Sequence, residues 1–172
     1  MFIEKHYIIQ PQFMYMMSHY DRHGKLCSLI FETNRTFIVD QSPQEILKES
    51  TRRIGFSLQG AIDAAKYHLG DVNMCPIMVN PILRIVLFPT RSPKHEETIW
   101  LNPQQIRRTT SINGRTMITF NNEKTLVVAA RLPAFNTKLQ NAEQLEKMTR
   151  IDDPEYVSFV IDPKKRQTKD KQ

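Results

Sequence analysis

Glycine is scarce in this 172-residue chain, with five in all and none arranged as G-x-G-x-x-G or as a Walker loop. Without such a turn there is no backbone cradle for phosphates, and nucleotide chemistry finds no support. The chain holds two cysteines. Cys27 and Cys75 lie in the apolar runs LCSLIF and MCPIMV, which favours buried thiols over a disulfide framework. No apolar stretch approaches the roughly 20 residues that span a bilayer. The N-terminal MFIEKHYIIQPQF carries an early acid and lacks both a continuous apolar core and a small-residue cleavage site. A secretory signal is therefore not expected, and the reading is a cytoplasmic protein with no membrane partner.

What is present describes an ordinary globular chain, 40% hydrophobic and 24% charged. Its length suits one well-buried core, taken as a single domain over 1–163 followed by a basic, disordered tail over 164–172. The tail sets Lys164, Lys165, Arg166, Lys169 and Lys171 against Asp170, which is +4 of the net +6. A pI of about 9.4 is thus no DNA signature by itself.

Short β-type runs at His6 to Ile9, Phe13 to Tyr20, Lys25 to Phe31 and Thr36 to Val39 open the chain as an antiparallel meander. Ser42-Pro43-Gln44-Glu45 forms a capping box, so a helix follows to about Arg53. Leu58, Ile62, Ala65 and Leu69 recur at helical spacing, and Gly70 ends that second helix. Pro81 and Pro89 bracket Ile82-Leu83 and Ile85-Val86-Leu87-Phe88, read as a buried strand. A short strand follows at Thr98 to Leu101. Asn113-Gly114 joins two strands in a hairpin, a third runs from Thr125 to Ala130, and a last helix is expected over about Thr137 to Thr149. The expected class is α+β: mainly antiparallel sheet with about three helices packed on one face.

His19, His23 and Cys27 would share a face in a helix, but their neighbours favour strands, so no metal site is expected. Thiol catalysis needs a nearby histidine in an electropositive, accessible setting, and neither is evident. Carboxylates are scattered; no enzyme and no cofactor are expected. Trp100 reads as a core or interface anchor. Among the basic residues, Arg52 and Arg53 end the first helix, where the dipole alone explains a cation. Arg107, Arg108 and Arg115 are expected to cluster at one end of a ribbon. They serve either a nucleic acid or a solvated edge that discourages aggregation.

The segment CPIMVNPILRIVLFPTRSPKHEETIW, Cys75 to Trp100, resembles the ComK competence transcription factors. The likeness rests on Pro76-Ile77-Met78-Val79 before Pro81, on Leu87-Phe88-Pro89-Thr90, on Ser92 and on the placing of Trp100. Upstream it takes in Gly24-Lys25-Leu26-Cys27-Ser28 with Ile30, the helix to Arg53, and Gly55, Ser57 and Gly60. The resemblance implies a bacterial activator of DNA-uptake genes that self-associates and binds pairs of A/T-rich boxes in double-stranded DNA, largely through the minor groove. Arg52, Arg53, Arg107, Arg108 and Arg115 are its electrostatic DNA-binding candidates, chosen on charge rather than transferred from the family.

Phe159, Val160, Ile161, Pro163 and Lys164 are similar to the stretch by which a MecA-type adaptor captures ComK for Clp proteolysis, with Asp162 in place of an aromatic; an ordinary terminal strand is the alternative. Ala61 and Ile62 stand where the family places basic side chains, and the chain stops soon after Pro163. Both departures favour a second reading: a shortened interaction module that pairs with a full-length relative or a Clp-protease adaptor.

Overall fold

The computed structural model describes residues 3–150. Ten strands and three α-helices follow one another as β1 (Ile3–Glu4), β2 (Phe13–Tyr20), β3 (Leu26–Glu32), β4 (Thr36–Val39), α1 (Pro43–Arg53), α2 (Leu58–Leu69), β5 (Ile77–Asn80), β6 (Ile85–Pro89), β7 (Ile99–Leu101), β8 (Ile106–Ile112), β9 (Arg115–Phe120), β10 (Thr125–Val128) and α3 (Leu132–Met148). The class is α+β. Seven strands form one sheet in the order β1-β4-β3-β2-β7-β6-β5, and β10-β9-β8 form a second. Only the β1–β4 pairing is parallel.

The large sheet is covered on both faces. Ile85 and Leu87 of β6 pack with Ile46, Leu47 and Leu58 of α1 and α2, while Val86 and Phe88 face Ile118, Phe120, Phe135 and Leu145. Alternate side chains enter two different cores, which is why this strand reads as an unbroken apolar run. The helices therefore divide between the faces rather than sharing one, with α1 and α2 on one side and α3 with the small sheet on the other. Trp100 is buried at the centre, 1% exposed.

Local chemistry accounts for most boundaries. The Ser42 hydroxyl accepts from the Glu45 amide at 3.2 Å while the Glu45 carboxylate accepts from the Ser42 amide at 2.7 Å, completing the capping box. Asn113 and Gly114 take φ of 48° and 74°, the left-handed pair that a two-residue hairpin requires.

Three further expectations are corrected. His6 to Ile9 forms no strand; Tyr7 and Ile9 are nevertheless buried, anchored by the Tyr7 hydroxyl donating to Glu32 at 2.7 Å and the Ile9 amide to Ser50 Oγ at 3.1 Å. Ile82 and Leu83 lie in the turn between β5 and β6 and are exposed. Helix α3 starts five residues earlier than expected, at Leu132, with Pro133 in its first turn. Its buried face is Phe135, Ala142 and Leu145, whereas Met148 is exposed.

Candidate nucleic-acid interface

The three-stranded sheet turns one face inward and leaves the other to solvent. Ile118, Phe120 and Val128 enter the core, and the Thr109 hydroxyl bonds Asn136 of α3 at 2.7 Å. Strand alternation then sends Arg108, Thr110 and Ile112 of β8, Arg115 and Met117 of β9, and Val127 of β10 outward. Arg108, Ile112, Arg115 and Val127 are exposed.

Charge is concentrated here. Over residues 106–131 the chain carries Arg107, Arg108, Arg115, Lys124 and Arg131 against the single acid Glu123, a net +4. The segment 1–105, four times as long, holds eleven basic and ten acidic residues. The basic tail is offset by Asp152, Asp153, Glu155 and Asp162 just before it, so residues 151–172 sum to zero. Residue-by-residue counting in windows reveals this; the overall pI conceals it.

The register separates the arginines that sequence reading places together. Arg115 faces Ile112 at the hairpin end, whereas Arg108 faces Thr119, four positions back along β8. That is roughly 13 Å of strand. Arg107 occupies the irregularity between Ile106 and Arg108 and pairs with Glu123 at 3.6 Å. Arg108 and Arg115 have no carboxylate within ion-pair distance among the described residues, and the same holds for Arg52 and Arg53. Those two are exposed at the end of α1, in the layer across the large sheet, and do not join the patch. Lys124 and Arg131 are the members of the basic segment that pattern reading passed over.

The other candidates resolve as follows. His19 and Cys27 are directly opposite one another on β2 and β3, and His23 sits in the intervening turn. Cys27 is buried and donates to Asp40 at 3.7 Å; burial pushes its thiol pKa up, and the neighbouring carboxylates add to the shift. Cys75 lines a cavity of about 560 Å³ beside Lys66, Asp71 and Trp100, and burial also raises its thiol. Neither thiol is activated as a nucleophile. Ala61 and Ile62 pack against the core under α2, a physical reason why those positions carry no charge here. Phe159, Val160, Ile161, Pro163 and Lys164 lie outside the described residues.

The family description "ComK protein" matches residues 4–153. The chain belongs to the ComK family. It is 31% identical over 153 residues to the competence transcription factor of Bacillus subtilis strain 168, covering 85% of this chain and 79% of that relative. No solved structure matches. The matched span includes all three helices and, apart from Ile3 of β1, every strand of both sheets. Family membership and this relative together support a ComK-like regulator. No helix among the described residues is long and apolar enough to cross a membrane.

Proposed function

We propose that this ComK-family chain is a DNA-binding activator that engages A/T-rich boxes through the minor groove, with the outer face of β8, β9 and β10 as its principal contact. The carrying observation is the exposed outer face of this sheet, on which Arg108 and Arg115 stand without a carboxylate partner among the described residues, within a segment, 106–131, of net +4. A/T tracts narrow the minor groove and deepen its negative potential, which rewards an inserted guanidinium without a unique hydrogen-bond code. Arginine suits this better than lysine because its planar fork is weakly hydrated. Two arginines about 13 Å apart address the duplex at two points and fix its direction across the sheet. Self-association then brings two such faces to paired boxes on one side of the helix.

Fluorescence anisotropy on a duplex with two A/T runs, against a G/C-substituted control, tests the reading. Wild type should bind the A/T duplex more tightly, and the Arg108→Ala/Arg115→Ala variant should flatten the slope of log affinity against log salt by about 2. An unchanged slope and affinity would remove these arginines from the interface. Equal weak binding to both duplexes would favour the interaction-module reading. Ile112 and Val127 give that reading its support, since both are exposed apolar residues on the same face.

A further inference from the structure

The turn between β5 and β6 contradicts its own sequence pattern. Ile82 and Leu83 belong to an apolar run that continues into the buried β6, yet they are 77% and 46% exposed. A soluble chain gains nothing in stability from a branched aliphatic pair held in water at a hairpin tip. Places where local pattern and structure disagree are where function is expected.

The tip is also held rigidly. The Ile82 and Leu83 amides both donate to Asn80 Oδ1 at 3.0 Å. Arg84 adopts φ of 58°, unusual for a residue with a side chain, and closes the turn. Its guanidinium is fastened to α3, donating to Glu146 Oε1 at 2.7 Å and to the Glu146 carbonyl at 3.0 Å. Its own carbonyl accepts from Gln104 Nε2 at 3.0 Å. Proline precedes the pair, so Pro81, Ile82 and Leu83 form a small, stiff apolar point.

Gln104 ties this point to the basic sheet. While its side chain binds Arg84, its carbonyl accepts from Asn121 Nδ2 at 2.9 Å, at the turn between β9 and β10. That turn carries Glu123 and Lys124, and Glu123 pairs with Arg107. On the other flank, Lys147 lines a cleft with Arg84 and Gln104, and Arg150 shares Glu146 with Arg84, at 3.1 Å. The charged groups beside the tip are thus Arg84, Lys147 and Arg150 against Glu143 and Glu146, a net +1, and Lys147 has no carboxylate within ion-pair distance among the described residues.

We propose that the tip of the β5–β6 hairpin is a wedge, with Ile82 and Leu83 entering the minor groove of A/T-rich DNA and prying apart one base step while the unpaired Lys147 beside it takes a flanking phosphate. The proposal rests on the DNA-binding reading above. Apolar residues of this kind, including isoleucine, leucine and proline, unstack a step and kink the duplex when a protein presents them at the groove floor. Pyrimidine–purine steps such as TA yield most readily, so an A/T-rich box offers a suitable target. A wedge has to be stiff, because a mobile tip would bend before the DNA does. The Asn80 and Arg84 contacts supply that stiffness. An apolar point beside an unpaired lysine, on a chain of net charge +6, also suits a polyanion better than a second copy of this chain, which would bring like charge.

The test uses the full chain and an A/T-rich duplex carrying 2-aminopurine at a TA step, whose fluorescence rises on unstacking. Wild type should raise it on binding. Ile82→Ser/Leu83→Ser, both changes at exposed positions, should abolish the rise and weaken binding about tenfold with the salt slope unchanged, because no charge is removed. A thermal melt of the variant coinciding with wild type excludes a folding defect. Retained unstacking in the variant overturns the wedge, as does tight wild-type binding with no fluorescence change. Loss of self-association in sedimentation, with unstacking intact, overturns it in favour of a second copy as the occupant. If wild type shows no preference for the A/T duplex, the DNA-binding reading itself fails, and the wedge falls with it.

Discussion

Around the seven-stranded sheet, Arg35 is held by Glu32 and Glu4, Arg84 by Glu146, and Arg91 by Glu97. On the three-stranded sheet, Arg107 has Glu123 at 3.6 Å, but Arg108 and Arg115 face solvent with no such partner among the described residues, as Arg52 and Arg53 do at the end of α1. The residue type is the same and the physical state is opposite. An arginine whose fork is already filled by carboxylates is part of the scaffold, and offering it to an external anion would first cost that internal pair. An unpaired guanidinium on a rigid strand has no such cost. The difference also follows from layer position: the large sheet is enclosed by helices on one face and by α3 with the small sheet on the other, whereas the small sheet keeps one face open.

The sharpest way to break this comparison is through packing. Trp100→Ala should destabilise the fold by about 3–5 kcal/mol, since it empties a site buried between two layers. Val127→Ser, on the open face of the small sheet, should change stability by no more than about 0.5 kcal/mol. Urea denaturation measures both. Similar losses in the two variants would mean that the outer face of the small sheet is covered in the folded protein.

A smaller effect separates the two kinds of arginine. Arg84→Ala removes two hydrogen bonds to Glu146 and leaves an alanine at φ of 58°, so a loss of about 1.5–3 kcal/mol is expected. Arg108→Ala should stay within about 0.5 kcal/mol of wild type. In DNA binding the order should reverse if Arg108 contacts phosphate. Equal stability losses would show that Arg108 has a structural partner after all.

The helices and most strands were legible because their signals are local: a capping box at Ser42, a glycine after Leu69, and Asn113-Gly114 at a hairpin. What escaped was set by partners distant in sequence. Tyr7 and Ile9 look like strand residues because they are apolar, but they are buried in the core beside Phe13 and Phe37, and Glu32 and Ser50 rather than a strand ladder take their polar groups. Ile82 and Leu83 look buried because they adjoin β6, and only the turn at Asn80 and Arg84 reveals that they point outward. Arg107, Arg108 and Arg115 are near one another in sequence, yet an antiparallel register sends Arg115 to the far end of the ribbon. The concentration of charge over 106–131 needed no structure at all, only counting by window rather than by whole chain. Showing that Arg108 and Arg115 lie on an open face did need it.

The least of the expected effects tests the scaffold arginines by titration. Burial pushes the Glu146 carboxyl up, but hydrogen bonds from Arg84 and Arg150 outweigh it and hold the group below its ordinary value. A carboxyl whose folded pKa is depressed contributes stability that is present above its unfolded pKa, about 4.3 for glutamate, and is lost as pH falls through the folded value. Glu146→Gln should therefore be less stable than wild type near neutral pH by about 1–2 kcal/mol, and the gap should close toward about pH 3. Arg108→Ala should show no such pH-dependent gap, because no carboxylate faces that guanidinium among the described residues. A gap in both would erase the distinction between the two sheets, whereas a gap confined to Glu146→Gln would fix it: ion pairs spent on the hairpin that carries Ile82 and Leu83, and free cations on the sheet beside it.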